Sequence, residues 1–347
     1  SDLREFIAAD NGMLRVADKQ LLPFASGYRR RNKLGVGFIP DAKCERFLNE
    51  LMQPAMSAED LELLQRWAGM ALLIENVAQR LVILTGTAGG GKGTFIRLVS
   101  RIVGLSNIGS LRTNQLAERF EIGLLMDKTL LYGPDVPEDF LNRRGASTLK
   151  ALTGGDPVSP ELKHATHTET VFCSFNVIVS CNSHLKVHLE GDVGAWRRRL
   201  VIIQYNNVKP AKPIADFDKV LFDSEGPGIL NWMLEGVEKL RADGWQLKLS
   251  PAQQARVDDL LLESDSLTVF VADCLRLDPK YVLTVNDCYE SYVRYCQQRN
   301  WVPLNRNDFG SEIGEVVTAK LGLAQRHDVP DTTGKNQRGW KGVLCLP

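Results

Sequence analysis

The sequence predicts an α/β protein whose centre is a largely parallel sheet covered by helices, and three observations predict it. An apolar run at Leu81–Leu84 breaks into a glycine-dense turn, Gly86-Thr87-Ala88-Gly89-Gly90-Gly91, and then into a helical pattern opened by Lys92-Gly93-Thr94. Further strand-like runs at Thr129–Tyr132, Val177–Ser180 and Leu200–Ile203 alternate with helical or loop stretches, as crossover-connected parallel strands do. From about Asp265 the pattern changes to three helical runs (Leu267–Leu275, Val285–Gln298, Asn307–Leu321) followed by two short strands, Leu323–His327 and Trp340–Leu346. Three helices and a hairpin make a winged-helix arrangement.

The 347 residues are enough for two or three domains. Residues 1–45, punctuated by Gly and Pro, read as an N-terminal extension or linker, with Arg29-Arg30-Arg31 and Lys33 as a solvated basic turn. Residues 46–78 form a helical subdomain in which Ser57-Ala58-Glu59-Asp60 resembles a capping box ahead of Leu61, Leu64, Ala68 and Ala71. The α/β core spans 79–205 and is followed by a helical, lid-like region at 206–262. That region opens on an exit linker around Pro210 and Pro213 and holds a helix at Ile229–Leu240. The winged helix takes 263–347.

Lys+Arg and Asp+Glu both number 42, so no global basic field advertises nucleic acid, and any polyanion contact must be local. The seven cysteines form no Cys-x-x-Cys pair, which suits a reducing cytoplasm. Cys181, His184 and His188 lack a fourth ligand, so zinc is not expected. No apolar stretch reaches membrane-spanning length, and no leader pattern opens the chain. Its abrupt start suits a fragment of something longer.

The spacing Gly86-x4-Gly91-Lys92 fits a P-loop. Gly86, Gly89, Gly90 and Gly91 let successive backbone N–H groups converge on phosphate oxygens, Lys92 brings a point charge to the β/γ-phosphates, and the helix turns its positive end toward them. Gly93 stands where such loops carry a magnesium-binding Ser or Thr, so Thr94 or a water takes that role. The competing reading is a tight turn that binds nothing. Lys128–Asp135 is an apolar strand ending in a carboxylate; the expectation is that it lies beside the glycine-loop strand, so that Asp135 reaches magnesium or orients the attacking water, with Glu138 and Asp139 one turn on. Val177–Asn182 ends in an amide able to donate to a γ-phosphate and accept from water. Arg197-Arg198-Arg199 precede a buried run and cannot all be core; one or two face a neighbouring subunit's nucleotide. Between these elements, Gly154-Gly155-Asp156-Pro157 forms a turn from which Lys163 and His164 project toward a DNA phosphate and sugar.

In this order the motifs resemble superfamily 3 DNA helicases, most closely the ATPase portion of phage, plasmid and poxvirus-type primase-helicases. Similarity to the papillomavirus replicative helicase lies in Gly154–His164. The resemblance covers about residues 45–262 and extends through the leading Phe38–Pro40 region and the winged helix. It implies an AAA+ core that binds ATP and Mg2+, with Gly91, Lys92, Gly93 and Thr94 on the phosphates and Asp135 in the acidic Walker B role. It further implies Asn182 as sensor, Arg198 or Arg199 as the trans-acting arginine, and Lys163 with His164 at the tip of a DNA-tracking hairpin. A hexameric ring around single-stranded or forked DNA follows, as does a primase or polymerase domain earlier in the native chain. In the wing, Lys335, Arg338 and Lys341 suit phosphate contacts, whereas Glu312 and Glu315 fit a major groove poorly. Two other functions compete: a non-unwinding AAA+ replication initiator or remodeller, and a nucleotide kinase, which Gly-Lys-Gly-Thr also resembles.

Overall fold

The computed structural model describes residues 4–28, 32–112, 122–137, 140–142, 146–158, 171–182, 185, 193–206, 212–299 and 301–346. They fall into two compact units, one running to Asp258 and one from Asp259 onward.

The first unit opens on an antiparallel sheet of β1 (Phe6–Ala9), β2 (Gly12–Arg15) and β3 (Leu21–Leu22). Ile7, Ala9, Leu14 and Val16 enter the main core, so this part of the 1–45 stretch is folded structure and not a bare extension. The hairpin signal lay in apolar residues on both sides of Asp10-Asn11, and Asn11 then clamps Phe38, accepting from its N–H at 2.8 Å and donating to its carbonyl at 2.9 Å. A π-helical turn at Phe47–Met52 leads to α1 (Ala58–Ala71), whose N-cap Ser57 accepts from the Asp60 N–H at 3.2 Å. Asp60 itself is buried and takes two bonds from Arg256, one of them at 2.8 Å, and one from Gln253 at 3.0 Å.

The central sheet contains β4 (Leu81–Thr85), β5 (Ile108–Ser110), β6 (Leu130–Gly133), β9 (Asn176–Cys181) and β10 (Leu200–Gln204), in the spatial order β10-β4-β9-β6-β5, with every neighbouring pair parallel. Between these strands the chain forms α2 (Lys92–Val103), α3 (Ala146–Gly154), the two-residue strands β7 (Pro157–Val158) and β8 (Val171–Phe172), and α4 (Val193–Arg199). The protein is thus a mixed α/β structure with a five-stranded parallel sheet flanked by helices, and β4, β9 and β10 are buried along nearly their whole length, as parallel strands covered on both faces must be. One expectation fails. The strand leading to Asp135 does not lie beside the glycine-loop strand; β9 sits between them. Pairing of parallel strands is set by crossovers, which local sequence does not encode.

α5 (Phe217–Ala242) is far longer than the expected helix and contains Pro227. Proline in a helix interior removes a hydrogen bond, yet here the helix is held along its length by tertiary contacts. Near its start, Asp218 is buried and accepts from Arg97 at 3.1 Å and Arg101 at 2.9 Å, both on α2. At its far end it crosses α1 so closely that a Cβ on Gly236 would stand 2.0 Å from the Gln65 carbonyl oxygen, and one on Gly69 would stand 2.4 Å from the Val237 nitrogen. α6 (Pro251–Ser264) follows.

The second unit holds α7 (Ser266–Cys274), β11 (Leu275–Thr284), α8 (Val285–Gln298), α9 (Arg306–Leu321), β12 (Arg326–Pro330) and β13 (Asn336–Cys345). Its sheet is antiparallel in the order β11-β13-β12, and its core is built on Phe270, Tyr292, Phe309 and Trp340. The three helices match the sequence expectation. β11 was not foreseen, because Pro279 breaks its pattern; the register with β13 slips there, between Leu277 and Val282, which is how an edge strand accommodates a proline. Among the described residues no helix is long and apolar enough to cross a membrane, and no group of three or more His, Cys, Asp or Glu side chains can hold a metal ion.

Two measurements check this packing. Gly236→Ala forces α1 and α5 apart and is expected to destabilise the chain by about 3 kcal/mol, read as a lowered thermal midpoint. Burial pushes the Asp218 carboxyl up, but hydrogen bonds from Arg101 and Arg97 and their charges outweigh it and leave it below the ordinary aspartate value. A depressed folded-state value gives stability that is present above the unfolded value of about 3.9 and lost as pH falls through the folded one. Asp218→Asn should therefore cost about 2 kcal/mol at neutral pH, with the gap to the wild type closing under acid titration below about pH 4.

Candidate functional site

The site lies where β4, β9 and β6 end, side by side. Thr85 of β4 is opposite Cys181 of β9, and Gly133 of β6 is opposite Val179. Open parallel sheets present ligands to their carboxyl edge, where each strand passes into a loop.

From β4 the chain enters the glycine loop, and α2 begins at Lys92 with Gly91 as a left-handed N-cap, φ +104°. Gly86 is at φ +138°, and a Cβ there would stand 2.1 Å from the Tyr205 carbonyl oxygen, so only glycine lets the loop close on its floor. That floor is Tyr205 itself. It is fully buried, donates its N–H to the Thr85 carbonyl at 2.7 Å and its hydroxyl to the Leu51 carbonyl at 3.5 Å, and burial pushes its phenol well above the ordinary value. The Lys92 ammonium, buried to 4% exposure, donates to the carbonyls of Gly86 at 2.7 Å and Thr87 at 2.8 Å. Burial lowers its pKa, and the nearby Asp135 carboxylate and Cys181 work in the opposite direction. Gly90 is buried, Gly89 exposed, and Gly93 and Thr94 are half-buried in the first turn of α2.

After β6, Gly133-Pro134 leads to Asp135, a non-glycine residue at φ +43°. Its N–H donates to the Ser180 hydroxyl at 3.0 Å, and the next N–H, of Val136, donates to the Ser180 carbonyl at 2.8 Å. Asn182, just past β9, donates its side-chain amide to the Asp135 carboxylate at 2.8 Å across 47 positions of sequence. Lys92, Asn182 and Asp135 thus lie in the segments that follow three neighbouring strands, β4, β9 and β6.

The three arginines separate. Arg197 is forked onto Asp258 at 2.7 and 2.8 Å. Arg198 is exposed and makes no hydrogen bond or ion pair with the described residues. Arg199 is half-buried and lies against α3: a Cβ on Gly154 would stand 2.6 Å from its Nη2, and the Gly154 carbonyl accepts from Gln79 at 2.7 Å.

Glu138, Asp139, Lys163 and His164, with Arg29–Arg31, His184 and His188, lie outside the described residues. In the second unit Lys335 is exposed in the β12–β13 turn, which Asp331 organises: bonds from the Thr333 hydroxyl and the Gln337 amide, then from the Lys335 and Thr333 N–H groups, lower its carboxyl to about 2. Arg338 donates to Gln325 at 2.7 Å and to the Gly310 carbonyl at 3.2 Å, and Lys341 pairs with Asp328 at 2.9 Å. Ser180 and Tyr205 were not singled out by sequence. Each acts through a side chain or backbone group whose partner is remote in the chain, and no motif gives either residue a role.

A family model described as a family of unknown function (DUF5906) matches residues 84–199. No curated protein matches the chain. Among solved structures, the chain is similar to the apo structure of the NrS-1 C terminal region, at 16% identity over 87% of this chain and 77% of that one, with a TM-score of 0.49. It is also similar to two A form apo structures of the NrS-1 C terminal region, at 15% and 17% identity over 81% of this chain, with TM-scores of 0.46 and 0.47. The chain covers 64% of the length of each of these two.

Magnesium takes one or two carboxylates beside substrate phosphates and retained water. The Asp135 carboxylate, one oxygen of which accepts from Asn182, and the Thr94 hydroxyl are oxygen donors of the type magnesium takes, whereas Gly93 offers no side-chain donor.

Proposed function

We propose that this chain is the motor portion of a superfamily 3 DNA helicase: an AAA+ ATPase that assembles as a ring and couples ATP hydrolysis to movement along one DNA strand in the replication of a phage, plasmid or similar element. One observation carries the reading. A glycine loop with a buried lysine, a strand-end amide and a strand-end carboxylate stand on neighbouring parallel strands, with the amide bonded to the carboxylate. Strand order supports it as well. Counted along the chain, the five parallel strands are arranged 5-1-4-3-2, so the loop strand is inside the sheet and the amide strand lies between it and the carboxylate strand.

In this reading the N–H groups of the glycine loop and the Lys92 ammonium bind the β- and γ-phosphates. Lys92 must leave the Gly86 and Thr87 carbonyls to do so, exchanging two neutral acceptors for charged ones. Magnesium, when bound, neutralises phosphate charge, and Asp135 and Thr94 would hold it. Asn182, oriented by Asp135, presents its amide where a γ-phosphate and its attacking water meet. Arg198 has the exposure that a residue serving a neighbouring subunit needs, whereas Arg199 is half-buried and donates to the Ala195 carbonyl at 3.3 Å, so Arg198 is the proposed trans-acting arginine. Lys163 and His164 are the proposed DNA contacts of the first unit. The second unit is read as a winged helix that meets phosphates through Lys335, with Arg338 acting from its bond to Gln325.

Strand displacement on a forked duplex with ATP tests the motor and separates it from a remodeller that hydrolyses without unwinding. Lys163→Ala is expected to weaken single-stranded DNA binding and abolish unwinding; retained unwinding refutes the hairpin assignment. Arg198→Ala is expected to lower hydrolysis on the order of 10³-fold with nucleotide affinity near normal. Mixing it with Lys92→Ala, which keeps its arginine but loses its own site, should restore part of the activity. If the mixture is as inactive as its components, no arginine crosses between subunits.

A further inference from the structure

We infer that Ser180 is a positioning residue for the proposed hydrolytic site, holding the Asp135 carboxylate in the orientation that receives Asn182 and a magnesium–nucleotide. The inference rests on the ATPase reading above. Ser180 belongs to β9, not to the loop that carries Asp135, and its side chain is buried.

The backbone at Asp135 is what needs holding. Its left-handed φ of +43° is a conformation that side-chain-bearing residues adopt reluctantly, although aspartate tolerates it better than most. Pro134 fixes the entry to the turn, and the two N–H groups that follow, of Asp135 and Val136, both point at one residue: the first to the Ser180 hydroxyl at 3.0 Å, the second to its carbonyl at 2.8 Å. The carbonyl is supplied by whatever residue stands at 180. The hydroxyl is not; only Ser or Thr places an oxygen acceptor there. Without it the Asp135 N–H is left unpaired beside a buried strand, and the turn can relax by rotating the Pro134–Asp135 peptide. That rotation swings the carboxylate off Asn182. Because Asn182 is two residues beyond Ser180, one strand end fixes both the backbone of Asp135 and, through the amide at 2.8 Å, its side chain.

The arrangement distinguishes a positioning role from simple core filling. Ser180→Ala leaves the volume of the core almost unchanged and removes the acceptor, whereas Ser180→Thr keeps the acceptor and adds a methyl group. The readout is binding of a fluorescent ATP analogue to the full chain with and without MgCl2, beside the steady-state hydrolysis rate and the thermal midpoint. Ser180→Ala is expected to bind the metal-free analogue as the wild type does and to lose about tenfold of the affinity gained on adding magnesium, with kcat reduced by a similar factor, the usual consequence of removing an outer hydrogen bond from a metal ligand. Ser180→Thr is expected to recover most of both. An unchanged magnesium increment in Ser180→Ala overturns the inference, as does equal impairment of the Ala and Thr variants, which would mark a packing effect. If the wild type binds no triphosphate under either condition, the ATPase reading itself fails and takes this inference with it.

Discussion

The parallel ladder between β4 and β9 is the constraint on which the site depends. It pairs Thr85 with Cys181, so the first residue of the glycine loop and the first residue beyond β9 emerge at the same level of the sheet. A slip of one residue would turn the slipped strand's side chains to the opposite face of the sheet, setting each against the wrong neighbours. Since both strands are buried along nearly their whole length, such a slip would leave the core unfilled on one side. The packing of the sheet thus fixes the alignment of loops that themselves contribute little to the core.

Much of the candidate site's local structure was legible because it lies in one stretch of sequence. Glycine spacing, the lysine that opens α2 and the apolar runs behind them all fall within one stretch of chain, and α2 occupies Lys92–Val103 as its pattern implies. What escaped is long-range or overruled. Nothing near Asp135 says that β9 intervenes between its strand and β4, and nothing near Ser180 says that its hydroxyl serves a residue 45 positions earlier. Pro227 and Pro279 read locally as interruptions, yet one lies inside α5 and the other at a bulge in β11, each sustained by neighbours distant in sequence. The adjacent arginines show the same limit. Their clustering was plain, but that one is spent on Asp258, one rests on Gly154 and one has no partner among the described residues is decided by the elements around them.

The close helix crossing in the first unit explains why small residues recur far from the site. Gly69 on α1 and Gly236 on α5 bring two backbones within reach of each other, and Gly228 does the same for α5 and the carbonyl of Lys43. A long helix interrupted by proline is thereby seated against both its partners by shape, supplemented by the Asp218 ion pairs at its other end.

β10 joins two ends of this machinery with five residues. Directly before it stand the arginines of α4; directly after it Tyr205 lies beneath the glycine loop, its carbonyl against Gly86. Paired with β4 residue for residue along its whole length, the strand cannot slide or fold, so it holds the arginines of α4 at a fixed distance from the turn that cradles Lys92.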